Sequence, residues 1–228
     1  MYQQIISFHR LLVHHRFYAL ALISGLACAL LAMRMQMTGT RGYLFLVWNL
    51  FLAWLPYCGA LWAARLSQRY PRQSLRLLVP GALWLIFLPN GPYLITDFVH
   101  LPRMEFVQWY DIGVLTAFAL SGWLLGAVSL RAMQDLVTER LGALAGWAFV
   151  LLSAGLCGLG VYLGRFLRWN SWDVFFQPRA LLDEALLMAT DPGNRARMVG
   201  VTLLFAALLM AGHLVLAPTQ KPALSTER

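Results

Sequence analysis

The sequence has 228 residues, of which 60% are hydrophobic and only 12% are charged. A soluble domain usually carries about twice that charged fraction, so the composition excludes an ordinary soluble protein and indicates a membrane protein. The formal net charge of +8 does not favour nucleic acid as a partner, because the basic residues are scattered between apolar runs rather than concentrated in one segment.

Six hydrophobic segments follow one another along the chain, and most approach or exceed the roughly 20 residues that cross a bilayer. We therefore predict an all-α fold, a polytopic membrane bundle of about six transmembrane helices. It would form a single domain over residues 1–217, followed by a short polar tail at 218–228. The segments are approximately 17–33, 43–63, 75–88, 110–130, 141–163 and 198–217.

The first segment follows His14, His15 and Arg16, and no small-residue cleavage site comes after it. We therefore expect an uncleaved first span rather than a signal peptide. Basic residues predict the orientation, because cytoplasmic loops are enriched in lysine and arginine. With the N-terminus inside, ten of the 18 basic residues fall in cytoplasmic segments and eight in outer ones. This modest excess predicts that both termini are cytoplasmic.

The third segment is too short at 77–88 to span by itself, and it runs into a Pro-Asn-Gly-Pro sequence at 89–92. The prolines remove backbone donors and Asn-Gly is a strong turn pair, yet residues 93–101 return to apolar character. We predict a helix broken at 89–92 and followed by a short second helix. Membranes tolerate such irregular backbone only where protein or a water-filled cavity surrounds it. A span that simply ends at the prolines is the alternative.

Polar side chains follow this break. If residues 93–101 are α-helical, Tyr93, Asp97 and His100 share one face. An aspartate and a histidine one turn apart can act as an acid/base pair, a proton relay or two metal ligands. A metal would need further ligands, for which Asp111 and Asp173 are the candidates, and we do not predict a metal site. An interfacial hydrogen-bonding pair is the simpler interpretation.

A second polar stretch, at 164–173, holds two arginines, two tryptophans, an asparagine, a serine and an aspartate. If the fifth helix continues, Arg165 and Arg168 each lie four residues before a tryptophan and can stack on it. If the helix instead stops near Trp169, the following asparagine caps a new turn, with Asp173 at its N3 position. A collar of snorkelling arginines and interfacial aromatics explains the basic and aromatic residues, but not the asparagine and aspartate.

Three further patterns concern packing. Residues 178–191 begin with proline and place apolar residues at helical spacing, which predicts a short amphipathic helix on the membrane or over the site. Asn49 and His213 lie within spans, where we expect hydrogen bonds between helices. Glycines four residues apart allow helices to approach closely. These pairs are Gly122 and Gly126, Gly142 and Gly146, and Gly160 and Gly164.

The segments "LPNGPYLITDFVHL", "WYD" and "GVYLGRFLRWNSWD" resemble the signature segments of a family of uncharacterised bacterial integral membrane proteins, domain of unknown function 1361. The resemblance runs from about the second span to the sixth. It implies a multi-pass protein of the bacterial inner (plasma) membrane, and it implies no activity. The family typically has alanine where this chain has Gly91, a difference that favours a looser turn.

The residues and the resemblance together point to one candidate site on the outer side, where the "WYD" segment at 109–111 would also lie. Candidate catalytic residues for acid/base chemistry are Asp97, His100 and Asp173. Candidate substrate-binding residues are Asn90, Tyr93, Asp111, Arg165, Arg168 and Asn170.

Three functions are compatible with this site. In the first, the arginines bind an anionic lipid headgroup or a lipid-linked envelope substrate. In the second, the chain is a non-catalytic accessory or scaffold protein, whose partner is another membrane protein or a second copy. In the third, it is a small transporter using the broken helix, which the scarcity of charged residues within spans disfavours. Membrane lipids are expected partners in each case. The sequence contains no nucleophile, phosphate-loop or haem motif, so it identifies neither a reaction nor a cofactor.

Overall fold

The computed structural model describes residues 9, 11–13, 15–71, 73–103 and 108–216, without the side chains of residues 102, 103, 108 and 189. Every regular element in this part of the chain is helical. Six helical stretches within it are long and apolar enough to cross a membrane, which confirms the predicted polytopic bundle. The predicted polar tail at 218–228 lies outside the described residues.

The α-helices are numbered from residue 17 onward. They are α1 (Phe17–Thr38), α2 (Phe45–Arg69), α3 (Leu78–Phe87), α4 (Asn90–Tyr93), α5 (Gln108–Leu141), α6 (Ala143–Phe166), α7 (Asp173–Phe176), α8 (Pro178–Thr190) and α9 (Pro192–Val215). Two 3₁₀ helices, Ser74–Leu77 and Leu94–Arg103, flank α3 and α4. These four elements together make up the third span, Ser74–Leu101.

α5 is the central helix, and it packs against α1, α2, α4, α6, α9 and the second 3₁₀ helix. Its 34 residues extend well past the predicted segment 110–130. The extra turns carry an ion pair between Arg131 and Asp135, 3.3 Å apart and partly exposed. Hydropathy predicted too short a helix, because the final turns carry charged residues and are not apolar. Gly142 alone joins α5 to α6, at φ +88°. It therefore serves as the turn, not as one of the predicted helix-packing glycines.

The third span is interrupted where the prolines predict it. α3 ends at Phe87, and the chain continues through the four-residue α4 into the 3₁₀ helix. Pro89 and Pro92 have no amide hydrogen to donate to the carbonyls one turn earlier. The Asn90 side chain instead donates to the Phe87 carbonyl at 2.9 Å, and the Gly91 amide donates to Leu88 at 3.2 Å. The break is thus a compact, hydrogen-bonded turn of helix and not a solvated loop.

Glycines of the neighbouring spans make room for this break. A Cβ atom on Gly91 would lie 2.8 Å from the carbonyl oxygen of Gly122 and 3.3 Å from the Cα of Gly126. On the other side, Pro89 packs onto Gly160 of α6. Gly91 lies inside α4, so the glycine permits close approach of two backbones and does not loosen the turn. Two of the three predicted glycine pairs thus hold the broken span.

The break also moves the third span inward. Before it, α3 lies between α2 and α6, with Trp84 next to Gly59 of α2 and stacked on Phe149 of α6 at 5.4 Å. After it, α4 and the second 3₁₀ helix pack mainly against α5. Beyond the break, the side of α4 that faces away from α5 borders a cavity between α2 and α6. We call this end of the molecule, where α2 begins and α6 ends, the cavity end.

Replacement of Gly122 by alanine tests this packing. The added methyl group would meet the Gly91 carbonyl and the Leu94 side chain, so we expect Gly122→Ala to lower the free energy of unfolding by about 1–3 kcal/mol. Gly113→Ala is the control in the same helix, since its Cβ position is open, and alanine there is expected to be neutral or to stabilise by up to about 1 kcal/mol. Denaturant titration in detergent micelles measures both. Equal stability of the two variants would contradict the close contact.

Candidate functional site

A cavity of about 490 Å³ lies at the cavity end of the bundle. Its walls come from the first turns of α2, from α4 and the following 3₁₀ helix, and from the end of α6 with the loop after it. The predicted convergence of the broken third span with the loop after the fifth span is therefore observed. The polar residues in its lining are Asn49, Asn90, Tyr93, His100, Arg165, Arg168, Asn170 and Ser171.

Asp97 lies buried outside the cavity lining and connects three of its walls. Its side chain is 1% exposed, and it is not among the described residues that line the cavity. One carboxylate oxygen accepts from Asn49 Nδ2 at 3.1 Å, and the other lies 3.8 Å from Arg165 Nη1. Asp97 thus joins α2, the 3₁₀ helix and α6. A buried carboxylate is costly unless it is paired in this way, so its first role is to hold the walls together.

His100 presents one ring nitrogen for a ligand. Its Nδ1 lies 3.1 Å from the backbone carbonyl oxygen of Asp97. Because a carbonyl oxygen can only accept, Nδ1 carries the proton and donates it, which leaves Nε2 as the atom available for binding or proton transfer. The ring also packs against Phe45, with centroids 5.0 Å apart.

The prediction that Tyr93, Asp97 and His100 share one face of an α-helix is wrong. The segment is a 3₁₀ helix, in which residues three apart are eclipsed and residues four apart are not. Asp97 and His100 therefore stay neighbours, while Tyr93, at the end of α4, reaches the cavity separately. Among the described residues, no group of three or more His, Cys, Asp or Glu side chains is placed to hold a metal ion.

The loop after α6 excludes the first of its two predicted alternatives. α6 ends at Phe166, so the helical spacing that would stack Arg165 and Arg168 on the tryptophans is not formed. The Trp169 amide donates back to the Leu163 carbonyl at 3.3 Å, and its indole donates to Glu184 of α8 at 2.6 Å. This last bond ties the short amphipathic helix to the wall of the cavity.

Asp173 stabilises this loop through hydrogen bonds to Asn170. Its carboxylate accepts from the Asn170 amide at 2.7 Å and from Asn170 Nδ2 at 3.3 Å. The bond back to the Asn170 amide is the one that the predicted capping box requires, but α7 begins at Asp173 with Trp172 at its cap position, so the predicted cap at Asn170 and N3 position of Asp173 are not formed. Asp173 therefore shapes the loop that carries Asn170 into the cavity lining.

Arg168 is the unusual residue of the site. It has φ +59°, a left-handed conformation that costs roughly 1–2 kcal/mol for a residue with a side chain. Helices commonly end with a glycine in this conformation. The side chain is exposed to the cavity, and no described residue hydrogen-bonds to it or forms an ion pair with it. Strain of this kind is concentrated at functional sites.

Asn90 and Ser171 link the two halves of the site. Asn90 Nδ2 donates to Ser171 Oγ at 2.9 Å as well as to the Phe87 carbonyl. The sequence indicates Asn90, but it provides no spacing argument for Ser171, because the two residues are 81 positions apart. Asn49 was predicted to hydrogen-bond to another helix, which it does, and its place in the cavity lining was not predicted. The sequence feature that could have indicated Asn49 as a site residue is an isolated asparagine within an apolar span.

Asp111 lies apart from the cavity. It opens α5 and forms an ion pair with Arg34 of α1, with Arg34 Nε 2.5 Å from a carboxylate oxygen. Both side chains are buried, and the Arg34 guanidinium also lies over the Tyr43 ring at 4.3 Å. Burial, followed by the charge of Asp111, raises the pKa of Tyr43 to about 12. Asp111 thus fastens α1 to α5, and the structure does not bring it together with the other candidate residues.

His213 also lies outside the site. It is fully buried near the end of α9, and its ring meets Trp147 of α6 edge-on at 5.8 Å. Its ring nitrogens have no hydrogen-bond partner among the described residues. The predicted hydrogen bond between helices is therefore replaced, in this part of the chain, by an aromatic contact.

Six candidate spans around a buried polar network define a multi-pass helical membrane protein. A family model described as "Protein of unknown function (DUF1361)" matches residues 48–211. The chain belongs to this family, and the matched region includes the cavity-lining residues from Trp48 to Trp172. Searches of curated proteins and of solved structures found no match.

Asp97→Asn tests whether the Asp97 network stabilises the fold. The substitution keeps an acceptor for Asn49 but leaves the Arg165 guanidinium without its carboxylate. We expect a loss of about 1–2 kcal/mol in the free energy of unfolding, moderated because Arg165 retains some contact with water. Asp173→Asn is the matched control, since its carboxylate serves only a loop, and should cost less. Denaturation in detergent compares them, and a greater loss for Asp173→Asn would be inconsistent with this assignment.

Proposed function

We propose that the cavity binds the anionic headgroup of a membrane lipid or of a lipid-linked envelope substrate, at the outer face of the bacterial inner membrane. The observation that carries this proposal is Arg168, a strained and unpaired arginine on the wall of a cavity of about 490 Å³. That volume is within the range of roughly 300–1,000 Å³ typical of small-molecule sites.

The charges of the site favour an anion. The charge of Arg165 is offset by Asp97, 3.8 Å away, whereas Arg168 contributes a positive charge that no described side chain neutralises. A guanidinium offers a planar set of donors that fits a phosphate or carboxylate through two parallel hydrogen bonds. Asn170 and His100 add polar groups beside it. The preferred ligand is therefore a phosphate or carboxylate group.

The same geometry limits the chemistry. The predicted catalytic pair does not meet through its side chains, because the Asp97 carboxylate is paired with Asn49 and Arg165 while His100 hydrogen-bonds to the Asp97 backbone carbonyl. Asp173 is committed to the loop. His100 Nε2 is then the candidate proton acceptor or donor beside a bound headgroup. Binding is the proposed function, and any acid/base step would depend on His100.

A non-catalytic accessory role is the second candidate. It is favoured by the Asp97 network, which joins three elements and would hold the bundle together without any ligand. This alternative does not explain why an arginine occupies the position at 168, where glycine would remove the strain. The two candidates therefore differ in what they predict for that residue.

Substitution of Arg168 distinguishes them. We expect Arg168→Gln to weaken binding of dioleoyl phosphatidate to the purified protein at least tenfold, because the unpaired charge is lost. Arg168→Gly should weaken binding equally while leaving the unfolding temperature unchanged or higher, since glycine relieves the left-handed strain. Arg179→Gln is the control, an exposed arginine of α8 that lies outside the cavity lining. Binding that is unaffected by both Arg168 variants would support the accessory role instead.

The orientation is tested by cysteine labelling in intact cells, starting from a variant in which the three native cysteines are alanine. Trp109→Cys and Arg179→Cys lie at the cavity end, and Leu75→Cys lies at the opposite end, all at exposed positions. With cytoplasmic termini, we expect an impermeant maleimide to label positions 109 and 179 and not position 75. Labelling of position 75 alone would reverse the orientation, and labelling of only one of the other two would contradict the shared face.

A further inference from the structure

The cavity occupies a position that an unbroken third span would fill. In the other half of the bundle, α3 packs against α2 and reaches α6 through Trp84, and its residues Leu78 and Val79 are exposed on the surface of the bundle. Beyond the break, the chain packs mainly against α5, and α4 keeps contacts with α2 and α6. The cavity therefore lies on the side of α4 away from α5, between α2 and α6.

The two helices that border this space do not close it. α2 and α6 do not pack against each other along their lengths. The lining of the cavity includes Leu52 of α2 and Gly160 of α6. Leu52 lies seven residues inside the start of α2, and Gly160 lies six residues before the end of α6. At a rise of 1.5 Å per residue, the cavity thus reaches about 10 Å below the ends of both spans.

Aromatic rings stand at the top of this opening. Trp48 of α2 and Trp172 of the loop after α6 meet edge-on, with ring centroids 6.5 Å apart. Both residues line the cavity, and Trp48 is half exposed. Tryptophan is enriched at the headgroup level of membranes. The opening is therefore polar and aromatic at its top, and it is bordered by Leu52 and Gly160 below.

We infer that the cavity opens sideways into the bilayer between α2 and α6, and that its ligand is an anionic lipid that enters by this route. The headgroup binds Arg168, while the acyl chain stays in the membrane and lies in the opening beside Leu52 and Gly160. This inference rests on the proposed function and specifies its substrate class: an amphiphile with a phosphate or carboxylate head. At this depth the lining residues Leu52 and Gly160 have no polar side chain, so they offer contact to an acyl chain and no hydrogen bond to a soluble anion.

The experiment compares two probes with the same head chemistry, dioleoyl phosphatidate and glycerol 3-phosphate. Binding of each to the purified protein in detergent is measured by native mass spectrometry, with the other as competitor. We expect phosphatidate to bind at least tenfold more tightly than glycerol 3-phosphate. Equal affinities would overturn the sideways route and leave a site for soluble anions. This comparison needs only the unmodified protein, so it does not depend on the folding of any variant.

A variant then tests where the acyl chain of the lipid lies. Leu52 lines the cavity and is 8% exposed, so Leu52→Trp fills its lower part, and we expect it to weaken phosphatidate binding at least tenfold while glycerol 3-phosphate binding changes less than twofold. Leu22→Trp, at a position of α1 that is 74% exposed, is the control for an added tryptophan outside the cavity and should change neither. If Leu52→Trp leaves phosphatidate binding intact in a folded protein, the proposed path of the chain is wrong.

Failure of the proposed function has a different signature. If neither probe binds the unmodified protein, the anion site itself is refuted. If phosphatidate binds but Arg168→Gln has no effect, the lipid is held elsewhere by its chains, and the inference fails with the site. Loss of both probes in Arg168→Gln, with loss of phosphatidate alone in Leu52→Trp, is the result that the structure leads us to expect.

Discussion

The backbone of a membrane span must satisfy its own hydrogen bonds, and in the third span Pro89 and Pro92, three residues apart, remove two of the amide donors that a regular α-helix would use. The chain responds with a short helix and a 3₁₀ helix, and such backbone is tolerated at this depth only where protein or a water-filled cavity covers it. Gly122 and Gly126 on one side and Gly160 on the other provide that cover. The arrangement of the cavity end depends on this one constraint.

The inward turn of the third span has two consequences for the site. It carries Asp97 into the bundle, where a buried charge has to be paired, and Asn49 and Arg165 pair it. It also leaves open space between α2 and α6, into which Arg168 projects. The polar residues therefore divide into those that hold the walls, chiefly Asp97 and Asp173, and those that face the cavity, chiefly His100 and Arg168.

Much of this was predictable from local rules. Hydropathy predicts the six spans, and the prolines predict the break. The polar segments after the third and fifth spans predict a shared site, because successive spans alternate direction. The errors came from assuming regular helices. α6 ends at Phe166, so the arginines do not stack on the tryptophans, and the segment after the break is 3₁₀, so Tyr93 does not align with Asp97.

The sequence by itself determined the class of fold, the position of the break and most of the residues that meet around it, because hydropathy, missing amide donors and turn residues act over a few neighbours in the chain. Only the tertiary structure decided which residue each polar side chain would contact. Asp111 pairs with Arg34, 77 positions away, and Asp97 pairs with Asn49, 48 positions away. Such choices depend on which helices are adjacent, and the packing of Gly91 and Pro89 against the glycines of α5 and α6 determines that adjacency.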